Sequence, residues 1–209
     1  MTALRIKPAG STALLACLEH PDQVTGLYRE LQTSPPAGYV DAIPAAETVM
    51  VVYDPARTQA ATLAAWLESA LDRPVTAESA PHQGPAISIP VTYDGPDLSD
   101  VAARTNLSAD EVLRRHTSAE YVVTFCGFAP GFAYLSGLDP ALCLPRRTVP
   151  RTRIPAGSVA IADRYTSVYP SNSPGGWHLL GRTETVMWDL DRQSPALLTP
   201  GTRVRFEAL

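Results

Sequence analysis

The chain has 209 residues, 45% of them apolar, and a formal net charge of -4, so it can bury one large or two small cores. It has no basic excess of the kind that nucleic acid or an acidic membrane surface selects. Its three cysteines, Cys17, Cys126 and Cys143, are odd in number and widely spaced, which argues against a disulfide framework or zinc site and reads as reduced, buried thiols.

In chain order, Leu4 to Ile6 and Ala13 to Leu18 read as short strands around the turn Pro8-Ala9-Gly10-Ser11. From Asp22 the period changes: Val24, Leu27, Tyr28 and Leu31 form the stripe of an amphipathic helix that Pro35-Pro36 ends. Strands follow at Tyr39 to Ile43 and Thr48 to Tyr53. A second helix runs through TQAATLAAWLESALD, with Leu63, Trp66, Leu67, Ala70 and Leu71 on one side and Pro74 beyond its end. Two helices on one face of a small antiparallel sheet would bury every apolar stripe. The aperiodic Ala77 to Ala86 predicts a boundary, giving an α+β domain over 1–84 and a second domain over 85–209.

The second part opens on a strand, Ile87 to Tyr93, and two helical pieces. The latter piece begins with Ser108-Ala109-Asp110-Glu111, the spacing of a reciprocal capping box. After Tyr121, short β-rich runs (YVVTF, SVAIA, TSVYP, TVMWDL, RVRFEA) are divided by Pro and Gly, the pattern of a barrel or sandwich. Tyr121 to Leu138 carries no charged residue, yet Gly127, Pro130, Gly131 and Gly137 interrupt it, so it is not a membrane span. The N-terminal MTALRIKPAG has no apolar stretch long enough for a signal peptide, and a cytoplasmic location is expected.

Two further stretches can carry chemistry. PRRTVPRTRIPAGS holds Arg146, Arg147, Arg151 and Arg153 with no acid between Asp139 and Asp163. It reads either as a solvated edge strand or as an anion site with co-aligned guanidiniums. SPGGWHLLGRT joins two glycines, which permit close backbone approach, to Trp177, which supplies a flat apolar wall; the other reading is a tight turn with a buried aromatic. His178 is the one histidine in such a segment. Cys126 lacks a neighbouring base and reads as inert. No P-loop, G-x-G-x-x-G, H-E-x-x-H or G-x-S-x-G string occurs, and no metal site is expected.

Taken together, GFAPGFAYLSGL, PRRTVPRTRIPAGSVAIA, VYPSNSPGGWHLLGRT and PGTRVRF resemble, in order and spacing, the allophanate hydrolase subunit 1 family. The B subunit of bacterial 5-oxoprolinase and the Kip-type inhibitor of a sporulation histidine kinase belong to that family. The resemblance implies a small ferredoxin-like α+β domain followed by a cyclophilin-like β-barrel. It implies a second, partner chain of the kind that forms the C subunit in allophanate hydrolase/5-oxoprolinase complexes, a small amide or lactam substrate, and ATP used by the complex. The activity implied is opening of 5-oxoproline to glutamate; the alternative is an interaction module that inhibits a sensor histidine kinase.

The resemblance places substrate-binding residues at Phe128, Pro130, Gly131, Phe132, Tyr134, Pro155, Ala156, Gly157, Ser158, Tyr169, Gly175, Gly176, Trp177 and Arg182. Arg151 and His178 are the expected catalytic residues, with Arg151 and neighbouring arginines binding an anionic group and amides near Gly131 and Gly176 holding an oxyanion. Asp163, Tyr165 and Ser167 depart from the family's usual Gly, Gln and Gly, a change expected to bear on the substrate.

Overall fold

The computed structural model describes residues 4–71 and 85–209, and the chain divides into two compact units, Met1–Ala80 and Pro81–Leu209. Most of the expected boundary segment, with Asp72, Pro74 and His82, lies outside the described residues. No described helix is long and apolar enough to cross a membrane.

In the first unit, β1 (Arg5–Pro8), β2 (Ala13–Cys17), β3 (Tyr39–Pro44) and β4 (Thr48–Tyr53) form an antiparallel sheet in the order β1-β2-β4-β3. Helices α1 (Pro21–Thr33) and α2 (Ala60–Leu71) pack on it. The Gln23 side-chain carbonyl accepts from the backbone N–H of Glu19 and His20, which occupies donors at the start of α1. The period-2 pattern of β4 turns Val49, Val51 and Tyr53 inward, where they meet Val24, Leu27 and Leu31 of α1 and Leu63, Leu67 and Ala70 of α2. Each fully buried leucine there contributes about 1.5–3 kcal/mol of transfer free energy.

The second unit begins with β5 (Ile87–Val91), α3 (Leu98–Thr105) and α4 (Ala109–Ser118). It continues through β6 (Tyr121–Cys126), β7 (Ala133–Ser136), β8 (Arg151–Ile154), β9 (Ser158–Ala162), β10 (Tyr165–Val168), β11 (Ser173–Gly175), β12 (His178–Arg182) and β13 (Arg203–Ala208). Seven strands make one mixed sheet in the order β12-β9-β10-β7-β6-β13-β5, with β8 and β11 as a separate ribbon. A bridge between Thr92 and Arg182 brings the two edge strands together through reciprocal N–H···O=C bonds of 2.9 Å, so the sheet nearly closes into a barrel. Gly181 permits this approach, because a Cβ there would lie 2.3 Å from the Thr92 carbonyl oxygen.

Several expectations change on the folded chain. TVMWDL is not a strand: among its residues only Trp188 bridges, to Ala196, while Val186 and Leu190 are exposed. The Ser108–Glu111 capping box is half formed. Ser108 Oγ accepts from the Glu111 N–H at 3.1 Å, but the Glu111 carboxylate is drawn away to Arg114 and Arg115 at 2.6–2.7 Å. Cys143 is exposed rather than buried. Burial pushes the Cys126 thiol up to about 11, in keeping with an inert role.

His116 of α4 lies fully buried in the core beside Tyr121 and Phe206. Thr166 Oγ1 donates to the Ala160 carbonyl, so it accepts from His116 Nε2–H at 2.8 Å, and His116 Nδ1 accepts from the Tyr93 hydroxyl at 2.7 Å. Burial drives this imidazole down to about 3. A depressed folded-state value means that the neutral ring's contribution is fully present above about pH 6.5 and is lost as pH falls toward 3. Replacing His116 with Gln should flatten the acid limb of the stability curve between those values by up to about 1.4 kcal/mol per pH unit. Parallel denaturant-derived curves for the two proteins would contradict this.

Candidate functional site

The site grows from a break in strand alternation. Tyr121 and Val123 of β6 enter the core, but the pairing of β6 with β7 shifts register between Val123 and Phe125. That irregularity moves Phe125 to the other face, where it stacks on Tyr134 at 4.2 Å. On β7 and β10, Ala133, Leu135 and Val168 go to the core, while Tyr134 and Tyr165 meet edge-to-face at 5.7 Å. One sheet thus has an aliphatic inner face and an aromatic patch on the other.

Phe132 centres this patch. Its ring lies 5.1–5.5 Å from those of Tyr134, Phe128, Tyr169 and Trp177, all edge-to-face. These five aromatic residues, Arg146, Gly175 and Gly176 line a small pocket of about 60 Å³. Gly175 is required by volume: a Cβ there would collide with the Tyr169 hydroxyl oxygen, 2.3 Å away. Phe128, at the rim, is 60% exposed and adopts φ +70°, a left-handed conformation that strains a bulky side chain. Burial pushes the Tyr169 phenol up to about 12, against opposing contributions from the Trp177 backbone and the charges of Arg146 and Arg151, so the hydroxyl keeps its proton.

Of the residues expected to bind substrate, Phe128, Phe132, Tyr134, Tyr169, Gly175, Gly176 and Trp177 converge on this pocket. The others lie elsewhere. Gly131 packs against Trp188 and Met187, and Pro130 shares its loop, so an oxyanion donor at Gly131 is not part of the pocket. Pro155 to Ser158 form a turn whose backbone brackets Tyr169: Gly157 N–H donates to the Tyr169 carbonyl at 2.8 Å and Tyr169 N–H to the Ser158 carbonyl at 2.9 Å. Ala156 N–H is held by the Asn172 side chain. Arg182 sits at the barrel seam, paired with Asp94 at 2.8 Å. Tyr165 and Ser167 stand behind the pocket, Ser167 Oγ donating to the Ala133 carbonyl.

The two expected catalytic residues also turn inward. Arg151 makes a bidentate pair with Asp97 at 2.7 and 2.8 Å, and Arg147 Nη1 reaches the same carboxylate at 2.7 Å. The Leu179 N–H supplies a further bond at 2.8 Å. Asp97 is 4% exposed on its side chain. Burial alone would raise its carboxyl, but the Arg151 hydrogen bond, the Leu179 amide and the charges of Arg151 and Arg147 outweigh burial and hold it below the ordinary value. The guanidinium pair anticipated in the sequence is therefore Arg147 with Arg151, and its anion belongs to the protein. His178 is fully buried and donates from Nε2 to the Pro145 carbonyl at 2.9 Å, away from the pocket lining.

Sequence reasoning missed Asp97 and singled out Arg146 only as one of a run. The signal for Asp97 was indirect: four arginines in an acid-free stretch need a counter-charge from elsewhere in the chain. Asp97→Asn should cost about 3 kcal/mol, the low end for breaking a buried ion pair because both guanidiniums retain access to water. Urea denaturation measures it; a change below about 0.5 kcal/mol, the scale of ordinary surface substitutions, would contradict the assignment.

Comparison with known proteins agrees with this architecture. The B subunit of 5-oxoprolinase from Escherichia coli O157:H7 is 51% identical over 123 residues, 57% of this chain and 56% of that protein. The match thus spans little more than half of that relative's length. A conserved uncharacterized protein of Pyrococcus horikoshii aligns over 98% of this chain and 97% of its own, at 36% identity and a TM-score of 0.58. Kluyveromyces lactis urea carboxylase, at 19% identity and TM-score 0.68 over 99% of this chain and 22% of that one, shares the fold alone. Residues 4–198 match the family described as carboxyltransferase domain, subdomain C and D, and the chain belongs to that family, as the allophanate hydrolase subunit 1 resemblance implied.

Proposed function

We propose that this chain is one subunit of a heteromeric, ATP-hydrolysing amide or lactam hydrolase of the 5-oxoprolinase type, which opens 5-oxoproline to glutamate. The observation that carries the reading is the aromatic pocket: five rings line a space of about 60 Å³ that can take part of a small flat ring, with one guanidinium and the phenols of Tyr134 and Tyr169 at its wall, the latter held protonated. The relative named as the B subunit of 5-oxoprolinase supports the substrate class. We assign the partner chain to the type that forms the C subunit of such complexes, and ATP to the assembled complex, in the cytoplasm. In this chain the rings would hold the lactam, and Tyr169 would donate its proton in a hydrogen bond to the substrate. Arg151 and His178 serve by positioning the pocket's wall.

The finer fold reading accords with this proposal. The succession β2-α1-β3-β4-α2 with β2, β4 and β3 adjacent is the core of a ferredoxin-like sheet, β1 filling the remaining edge. The nearly closed seven-stranded sheet, with α3 and α4 contributing Val101 and Val112 to its core, fits a cyclophilin-like barrel. A proline-accepting peptide groove needs less charge at its wall, and no relative named here supports the kinase-inhibitor alternative, which is not adopted.

The test is coexpression with a partner chain of the C-subunit type and measurement of ATP-dependent consumption of 5-oxoproline. Turnover is expected, with kcat/KM falling about 10-fold in Tyr169→Phe, which keeps the ring and loses one hydrogen bond. A folded complex that hydrolyses no 5-oxoproline would overturn the proposal.

A further inference from the structure

We infer that Arg146 is the residue that recognises a carboxylate on the ring held by the aromatic pocket, and that Asp163 occupies its guanidinium until the ligand arrives. The ligand class is then a small flat ring bearing a carboxylate. This rests on the reading that the pocket binds substrate, and it assigns a role to a residue that the family resemblance did not single out.

Three observations converge. First, the arginines of the run are divided by partner. Arg147 and Arg151 are both tied to Asp97, whereas Arg146 is the charged residue lining the aromatic pocket. Second, Arg146 is held loosely at its tip. Its acidic neighbour, Asp163 Oδ2, lies 3.8 Å from Nε with both side chains more than half exposed, a pair that water screens and that contributes little. Third, Arg146 is held firmly at its base. On one side the Pro145 carbonyl accepts from His178 Nε2 at 2.9 Å; on the other, Arg147 N–H donates to the Gly176 carbonyl at 2.7 Å and the Arg147 guanidinium is tied to Asp97. A fixed backbone carrying a weakly engaged guanidinium is a preorganised anion receptor, because binding costs little further ordering and displaces a weak internal partner.

Asp163 fits the part of a placeholder. It stands at the tip of the β9–β10 hairpin with φ +52°, and its N–H is anchored to the Leu144 carbonyl at 2.7 Å. The hairpin is thereby held to the segment that leads into Arg146, while the Asp163 carboxylate remains 56% exposed. A ligand carboxylate meeting Arg146 in the fork geometry would make two charge-assisted bonds where Asp163 makes one long contact.

The experiment compares 5-oxoproline with its carboxamide, which keeps the lactam ring and loses the charge, using the full chain alone and assembled with its partner. The wild type should bind the acid about 10–100-fold more tightly than the amide, the range of one charged hydrogen-bonded contact. Arg146→Met, which keeps the stem and loses the charge, should abolish that preference by weakening the acid alone. Arg146→Lys should restore part of it, and Asp163→Asn should tighten acid binding about 2–3-fold by removing a competing charge. Equal weakening of both ligands in Arg146→Met, an unchanged acid-to-amide ratio, or binding of neither ligand by the wild type would overturn the inference. If the complex turns over 5-oxoproline while Arg146→Met keeps the wild-type ratio, the function stands and the inference falls. If 5-oxoproline is not turned over but the chain binds it with the Arg146-dependent ratio, the inference stands and the function falls.

Discussion

A single buried carboxylate organises the second unit. Asp97 stands at the start of α3, where an aspartate ordinarily caps the helix, yet its side chain makes no capping bond. It receives Arg151, Arg147 and the Leu179 amide, joining the strands β8 and β12 and the segment that precedes β8 to one point. Removing any of these donors leaves charge in a place that water hardly reaches, which is why the cluster constrains geometry more than it adds stability. It also eases the crowding of four arginines in one short stretch: two of them share one internal carboxylate, which offsets half of their combined charge.

The pocket depends on that constraint through backbone rather than side chains. Register pairs Arg151 with Gly175, so anchoring Arg151 positions the glycine pair on the opposing strand. Gly175 in turn leaves room for the Tyr169 hydroxyl, and the Pro155–Ser158 turn grips the Tyr169 backbone on both sides. The blocks that looked like separate binding motifs in the sequence therefore have different tasks. Phe128 and Phe132 of the Gly127–Phe132 loop and the Gly175–Trp177 segment line the pocket, while the PAGS turn and the Arg151 strand hold it in shape.

Local periodicity revealed what local physics decides. The stripes Val24–Leu27–Leu31 and Leu63–Leu67–Ala70 are buried as expected, and Thr48–Tyr53 is a strand with the anticipated ends. Failures came where a competing partner, or the lack of a ladder partner, overrides the pattern. TVMWDL is as β-rich as a strand but finds a ladder partner only at Ala196, and Glu111 abandons its cap for two arginines. The aromatic half of the site was legible through the family resemblance of its motifs, since Gly-Gly-Trp alone also reads as a tight turn with a buried aromatic. Its electrostatic half was not, because the partner of Arg151 lies 54 positions away in sequence and belongs to another element.

The ionisable groups nearest the pocket also limit what this chain can do chemically. Tyr169 is held protonated by burial, His178 spends its Nε2 proton on a backbone carbonyl, and Arg147 and Arg151 are closed around Asp97. Cys126, the one thiol in the aromatic run, is pushed away from thiolate. What remains at the wall is the phenols of Tyr134 and Tyr169, which can donate, and a guanidinium that can bind an anion. On the function we propose, a pocket built this way would select and orient a ring while leaving proton abstraction to a group from outside its lining.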